Sequence, residues 1–235
     1  MNDAERLPIL YEDNHLLAVV KPAGLLAQGD RTGDPSVVDL AAAYLRTRYG
    51  KPGKVYIGLV HRLDRPVSGV LLLARTSKAA ARLSAQFRDG TVAKTYLAVV
   101  QPAPAADAAE LIAWLGDRAD PQGRTRAAAA PFPGAREARL GYRVRARAVG
   151  AALLEVEPVT GRRHQIRAQL ALYGCPVVGD IKYGARGPAR WAIALHAWRL
   201  AVRHPVGGAP LIFEAPLPAG WPWPPDSQPV AERSG

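Results

Sequence analysis

The sequence predicts an α+β fold. Short apolar runs with strand character outnumber helical patterns, they do not alternate with helices in a regular βαβ rhythm, and no internal repeat organises the chain. At the N-terminal end, Ile9-Leu10-Tyr11 and Leu16-Leu17-Ala18-Val19-Val20 flank the polar Glu12-Asp13-Asn14-His15, as two strands meeting at a turn would. Lys21-Pro22-Ala23-Gly24 breaks that pattern. Ser36 is placed to cap a helix in which Val37, Leu40, Ala41, Tyr44 and Leu45 share one face, closed by Gly50 and Gly53.

Residues 55–60 read as a buried strand, 61–68 as a polar loop and 69–74 as another strand. Ser77 is placed to cap a helix carrying Ala80, Leu83 and Phe87 on one side and ending at Gly90. A strand resumes over 91–100, and the Pro/Ala-rich 101–109 reads as a flexible connection. Leu140, Tyr142, Val144 and Ala146 alternate with Arg139, Arg143, Arg145 and Arg147, the pattern of a half-exposed strand with a basic, solvated or RNA-facing side. A strand follows over 153–156. After Thr160-Gly161 a short helix is expected to turn Ile166, Leu170 and Tyr173 inward and stop at Gly174. Further strands are expected near 190–195, 198–203 and 211–214, followed by a Pro- and Trp-rich tail from Pro216.

Composition narrows the function classes. With 235 residues, 49% of them hydrophobic, the chain has enough apolar material for one large domain or two small ones. No stretch approaches the roughly 18–20 apolar residues of a membrane span, and the first residues lack the basic start and apolar run of a secretory signal. A soluble cytoplasmic protein is expected. Cys175 is the single cysteine, which excludes an intrachain disulfide and a thiolate cluster; between Gly174 and Pro176 it reads as a small buried residue. The formal charge of +11, from 31 Lys and Arg against 20 Asp and Glu, favours a polyanionic partner.

Two segments concentrate chemistry. His61, Arg62, Asp64 and Arg65 fall within one loop between two expected strands. A carboxylate among guanidinium groups is held ionised and can act as a nucleophile or base; it can equally pair with an arginine to fix the loop. The run Gly161-Arg162-Arg163-His164-Gln165-Ile166-Arg167 reads as a basic helix start, with Arg163 and Arg167 on one face holding phosphate or facing a buried carboxylate. Neither a helical His pair nor a carboxylate cluster points to a metal, and neither a phosphate-binding Gly-Lys loop nor a dinucleotide fingerprint points to a cofactor. No cofactor is expected.

Several separated elements together resemble the RluA-type family of RNA pseudouridine synthases. They are, in order, Lys21-Pro22-Ala23-Gly24, His61-Arg62-Leu63-Asp64-Arg65-Pro66-Val67-Ser68-Gly69, Lys94-Thr95-Tyr96-Leu97-Ala98, 160–167, Gly179-Asp180-Ile181-Lys182-Tyr183-Gly184 and Leu195-His196-Ala197. The likeness spans about residues 9 to 215. Val67 and Arg163 depart from it, each standing where the family usually has threonine.

The resemblance implies a pseudouridine-synthase core, a mostly antiparallel mixed sheet with a central cleft and flanking helices. It implies one catalytic domain over 9–215 with terminal extensions 1–8 and 216–235, and no separate N-terminal RNA-binding domain. The implied reaction converts uridine in rRNA or tRNA to pseudouridine after base flipping, by a monomer, with neither DNA nor membrane as partner. Asp64 is then the catalytic aspartate, by attack on the sugar, attack on the base or removal of a ribose proton. By the same likeness Arg62 enters the RNA stack, Tyr96 stacks on the target base, Arg167 pairs with the aspartate and Leu195 lines the pocket. Extruding a base costs about a few kcal/mol, which an aromatic face such as Tyr96 helps to offset. Two other readings share these residues: a non-catalytic RNA-binding protein on the same fold, and a glycosidase that would use Asp180 as its second carboxylate.

Overall fold

The computed structural model describes residues 7–50, 52–186 and 192–223. The chain divides into two compact units, one from residues up to Thr95 with His196–Pro218, the other from Tyr96–Leu195 with the residues from Ala219. Both are mixed or antiparallel β-structures carrying helices, the α+β class that the sequence predicts. No helix among the described residues is long and apolar enough to cross a membrane.

In the first unit, β1 (Ile9–Glu12) and β2 (Leu16–Lys21) form the expected hairpin, and β2 pairs antiparallel with β4 (Ser68–Ala74). Next to β4 runs β10 (Leu195–Arg203), parallel at His196↔Ser68 and Ala197↔Gly69, and β11 (Pro210–Glu214) pairs antiparallel with β10. Gly69 is required at the parallel contact. A Cβ there would sit 2.2 Å from the Ala197 carbonyl oxygen, and its φ of +122° is one that side-chain-bearing residues avoid. Helix α1 (Val37–Tyr49) starts at a capping box between Ser36 and Asp39 and ends on left-handed Gly50. Helix α2 (Ser77–Arg88) is capped by Thr76 rather than Ser77, because Thr76 is the extended residue and Ser77 already has helical backbone. The buried Ala79 and Leu83 of α2 pack with Leu16, Val70, Leu72, Val202 and Phe213, each fully buried leucine contributing about 1.5–3 kcal/mol.

The strand expected over 55–60 shrinks to β3 (Gly58–Leu59), pairing with Ala74 and Leu73. Antiparallel register puts residue 57 beyond the end of β4, and the Leu72 N–H that would extend the ladder the other way is donated to His61 Nε2 at 2.9 Å.

In the second unit, β5 (Ala93–Val100), which the chain enters from the first unit, pairs antiparallel with β9 (Ala151–Pro158), and β9 with β8 (Ala135–Ala148). Along β8, Leu140 and Tyr142 are buried while Arg139, Arg143, Arg145 and Arg147 are exposed, as the alternation predicts. Acidic partners occupy three of those arginines: Glu137 for Arg139, Glu155 for Arg145 and Asp107 for Arg147. The connection expected over 101–109 ends at residue 107, where β6 (Ala108–Ala119) begins, and β6 turns back as β7 (Thr125–Ala128). The sequence conceals that hairpin, because the exposed Ile112 and half-buried Trp114 are as apolar as the buried Leu111, Ala113 and Leu115 with which they alternate.

Helix α3 (Gln165–Leu172) packs the small Ala168 against Ala113, Leu115 and Ala138. It begins three residues later than a start after Gly161 requires, since His164 holds a left-handed φ of 53° that no helix continues through. Arg163 therefore lies outside the helix and does not share a helical face with Arg167. Ile166 and Leu170 are buried as expected, but Tyr173 follows the last helical residue and is exposed, its hydroxyl donating to the Ile112 carbonyl at 2.7 Å. The strand expected near 190–195 falls partly outside the described residues; 192–194 are not strand, and one continuous strand starts at Leu195.

Candidate active site

Arg62 and Asp64 sit together on the loop between β3 and β4, in the first unit. Its framework is largely main-chain. The Val67 N–H donates to the Asp64 carbonyl at 3.0 Å, closing a tight turn directly after the aspartate. Leu63 and Val67 are buried on either side of it, so the valine that replaces the family's threonine fills an apolar position. Arg62 is exposed and Asp64 half-buried, an accessible guanidinium next to a partly sheltered carboxylate.

Three side chains brace this loop. Lys21 is wholly buried, and its Nζ donates to the carbonyls of Pro22, Leu25 and Arg65 at 3.0, 2.8 and 3.1 Å. Three acceptors match the three N–H groups of an ammonium. Burial pulls the Lys21 amine down to about 7, the Asp64 carboxylate opposing that shift and Arg65 adding to it. Gly24 and Arg65 bond reciprocally, Gly24 N–H to the Arg65 carbonyl at 2.8 Å and Arg65 Nε to the Gly24 carbonyl at 2.9 Å, while Arg65 also pairs with Asp34. The Lys-Pro-x-Gly element is thus the support of the aspartate loop, a role that a lone lysine closing an apolar strand hints at without naming its acceptors.

His61 stacks on Phe87 with ring centroids 4.7 Å apart. Burial, with the charge of Lys94 adding, holds its imidazole down to about 3, so the neutral ring accepts from the Leu72 amide. At the other end of the loop, buried His196 Nε2 faces the Ala215 carbonyl at 3.2 Å, which leaves Nδ1 to accept from the Ser68 hydroxyl at 2.8 Å. Burial keeps His196 neutral, down to about 4. Both histidines are thereby engaged in positioning the ends of the loop.

Tyr96, Arg167 and Leu195 belong to the second unit. Tyr96 is half-buried on β5, opposite Val156. Leu195 is buried at the start of β10. Arg167 is 4% exposed on α3 and forks onto Asp180, Nε to Oδ2 at 2.6 Å and Nη2 to Oδ1 at 2.9 Å. Both oxygens of Asp180 are engaged in that buried pair, which makes it the orienting partner of Arg167 and removes the ground for a second glycosidase carboxylate. The guanidinium also lies 5.1 Å from the ring centroid of Tyr183. The sequence marks Asp180 only as a member of the 179–184 element; its burial and partner come from the fold.

The RNA pseudouridylate synthase family model matches residues 15–172. The chain belongs to this family. It is similar to a ribosomal large subunit pseudouridine synthase D of Nitrosomonas europaea, 34% identical over 229 residues, covering 92% of this chain and 64% of that protein. It is also similar to a tRNA pseudouridine synthase C of Salmonella typhi, 36% identical over 235 residues, covering 92% of this chain and 87% of that one. The chain thus spans a little under two thirds of the first relative's length. Among solved structures, human RNA pseudouridylate synthase domain containing 4 superposes with a TM-score of 0.75 at 25% identity, covering 90% of this chain and 88% of that one. The RluA-type resemblance and the pseudouridine-synthase α+β fold both stand with these matches.

Proposed function

We propose that this protein is an isomerase that converts uridine to pseudouridine in structured rRNA or tRNA, with Asp64 as its catalytic carboxylate. The observation that carries the reading is a half-buried aspartate on a loop fixed by a buried lysine and by main-chain bonds, in a chain that belongs to the RNA pseudouridylate synthase family. Fixing the reacting group in advance is what a reaction with a charged transition state rewards.

Arg62, exposed beside Asp64, takes the place of the extruded base in the stack through its planar guanidinium. Tyr96 stacks on the flipped uracil, Leu195 supplies apolar wall, and Arg167 provides the positive charge for the aspartate, held in orientation by Asp180. Residues 9–215 act as one catalytic domain, and the protein works as a cytoplasmic monomer. The excess of 11 positive charges supports binding to an RNA backbone and should make that binding weaken steeply with salt.

The test is pseudouridine mapping of rRNA and tRNA after incubation with the wild-type chain and with Asp64→Ala. Pseudouridine at defined sites with the wild type and none with the variant is expected. Equal modification by both would remove Asp64 from the chemistry, and RNA binding without modification by either would leave a non-catalytic RNA-binding protein.

A further inference from the structure

We propose that Arg163 and Tyr183 are positioning residues that clamp the β6–β7 turn onto the start of α3 and thereby hold Arg167 in orientation. Arg163 reaches 40 residues back in sequence, its Nη2 donating to the Gly123 carbonyl at 2.9 Å and its Nη1 approaching Thr125 Oγ1 at 3.4 Å. A guanidinium used in this way is a structural strut, and the threonine usual at this position has too short a side chain to span the same gap. The departure from the family pattern and the hairpin that the sequence concealed thus meet at one contact.

Tyr183 makes the second half of the clamp. Its hydroxyl accepts from the Thr125 N–H at 2.8 Å, which leaves the hydroxyl proton to be donated to His164 Nδ1, also at 2.8 Å. Thr125 is buried, so its amide needs that acceptor. His164 keeps a left-handed backbone despite carrying a side chain, and such a conformation persists where the surroundings fix it. The Tyr183 edge meets the His164 ring at 88° with centroids 5.7 Å apart.

The same tyrosine touches the Arg167 site from the other side. Its ring lies 5.1 Å from the Arg167 guanidinium, and its N–H donates to the carbonyl of Asp180, the residue on which Arg167 forks. Withdrawing the hairpin turn would therefore free the Tyr183 hydroxyl, release His164 from its strained backbone and loosen the face on which Arg167 lies. That chain of contacts lies wholly within the second unit. Its consequence for turnover rests on the proposed role of Arg167; the clamp itself does not.

Full-length Arg163→Thr, Arg163→Lys and Tyr183→Phe separate these points. Hydrogen exchange at the Thr125 amide and the Arg167 Nε–H, followed by NMR, needs no activity. Exchange at both sites should be about tenfold faster in Tyr183→Phe and in Arg163→Thr, with Arg163→Lys in between because one ammonium donor still reaches the Gly123 carbonyl. In pseudouridine formation kcat should fall about tenfold, while the RNA Kd stays within about twofold. Unchanged exchange at Arg167 Nε–H would overturn the proposal, as would a weakened Kd with intact kcat, which would make Arg163 a phosphate contact. If the wild type forms no pseudouridine, the functional reading fails and the exchange measurements still decide the clamp.

Discussion

The loop that carries Asp64 is held mainly by single side chains bonded to main-chain atoms, whereas the helix that carries Arg167 also depends on bonds between side chains. In the first unit, Lys21 gathers three carbonyls, the Gly24 N–H meets the Arg65 carbonyl while Arg65 Nε meets the Gly24 carbonyl, and the Leu72 amide is taken by His61. In the second, Arg167 forks onto Asp180, Gln169 Nε2 donates to the carbonyls of Leu111 and Ala138, and Gln165 Oε1 accepts from Thr160 and from the Arg162 amide. A framework anchored on main-chain atoms keeps those atoms whatever residues carry them and depends on the few side chains that reach them. A side-chain framework depends on each member, because a lost partner leaves a buried charge or amide unsatisfied.

The largest expected effect tests the second arrangement. Asp180→Ala leaves the Arg167 guanidinium buried without its carboxylate and should cost about 3–5 kcal/mol of stability, read from urea unfolding. A loss below about 1 kcal/mol would show that water reaches Arg167 and that the ion pair is not the support described. The corresponding change in the first unit, Lys21→Met, keeps most of the length and the apolar stem of the side chain but takes the ammonium donor from three carbonyls, of which only that of Arg65 still accepts from the Gly24 N–H. It should cost about 1–3 kcal/mol in the same measurement, with pseudouridine formation falling further than stability requires. If Lys21→Met proves as costly as Asp180→Ala, the distinction between the two frameworks disappears.

Acid should separate the two units. His61 is held down to about 3 by burial and Lys94, and His196 to about 4 by burial, both within the first unit. Each binds a proton more readily when unfolded, so stability falls as pH drops from about 6.5 towards those folded values. Glu12 acts in the same sense. Burial opposes ionisation there, but hydrogen bonds from Tyr49 and Tyr44 and the charges of Arg48 and Arg75 outweigh it and lower its pKa, so its contribution is lost as pH falls through the folded value. Hydrogen exchange at pH 4.5 should show β2 and β4 losing protection before β8 and β9; equal loss would contradict the assignment. The smallest effect is expected at the cap of α1. Ser36→Ala removes the hydroxyl that accepts from the Asp39 amide and donates to its carboxylate, for about 1 kcal/mol, measured as a shift in the urea midpoint.

What could be read from the residues depended on how local the signal was. The α1 cap, the β1–β2 hairpin and the exposed arginines of β8 follow from spacing within a few positions, and the structure holds them where the spacing put them. The candidate site residues are singled out by whole motifs and not by single side chains, and their roles rest on the proposed function. The 55–60 strand and the start of α3 differ from the expected bounds for a common reason: a single residue, through the His61 side chain in one case and the His164 backbone in the other, ends a pattern that apolar periodicity alone would continue. The β6–β7 hairpin stayed hidden because Ile112 and Trp114 make the outer face of β6 nearly as apolar as its inner one.

The sequence by itself determined the fold class and the family and singled out Asp64 as the candidate carboxylate, since ordered motifs and apolar alternation are properties of neighbouring residues. Only the tertiary structure decided what supports the loop and the helix that carry the candidate residues. That Lys21 faces the carbonyl of Arg65, that Asp180 belongs to Arg167, and that Arg163 is spent on the turn at Gly123 are pairings across 44, 13 and 40 positions. Such pairings are set by strand register and helix packing, and a linear pattern of charges leaves each of these residues with several equally good partners.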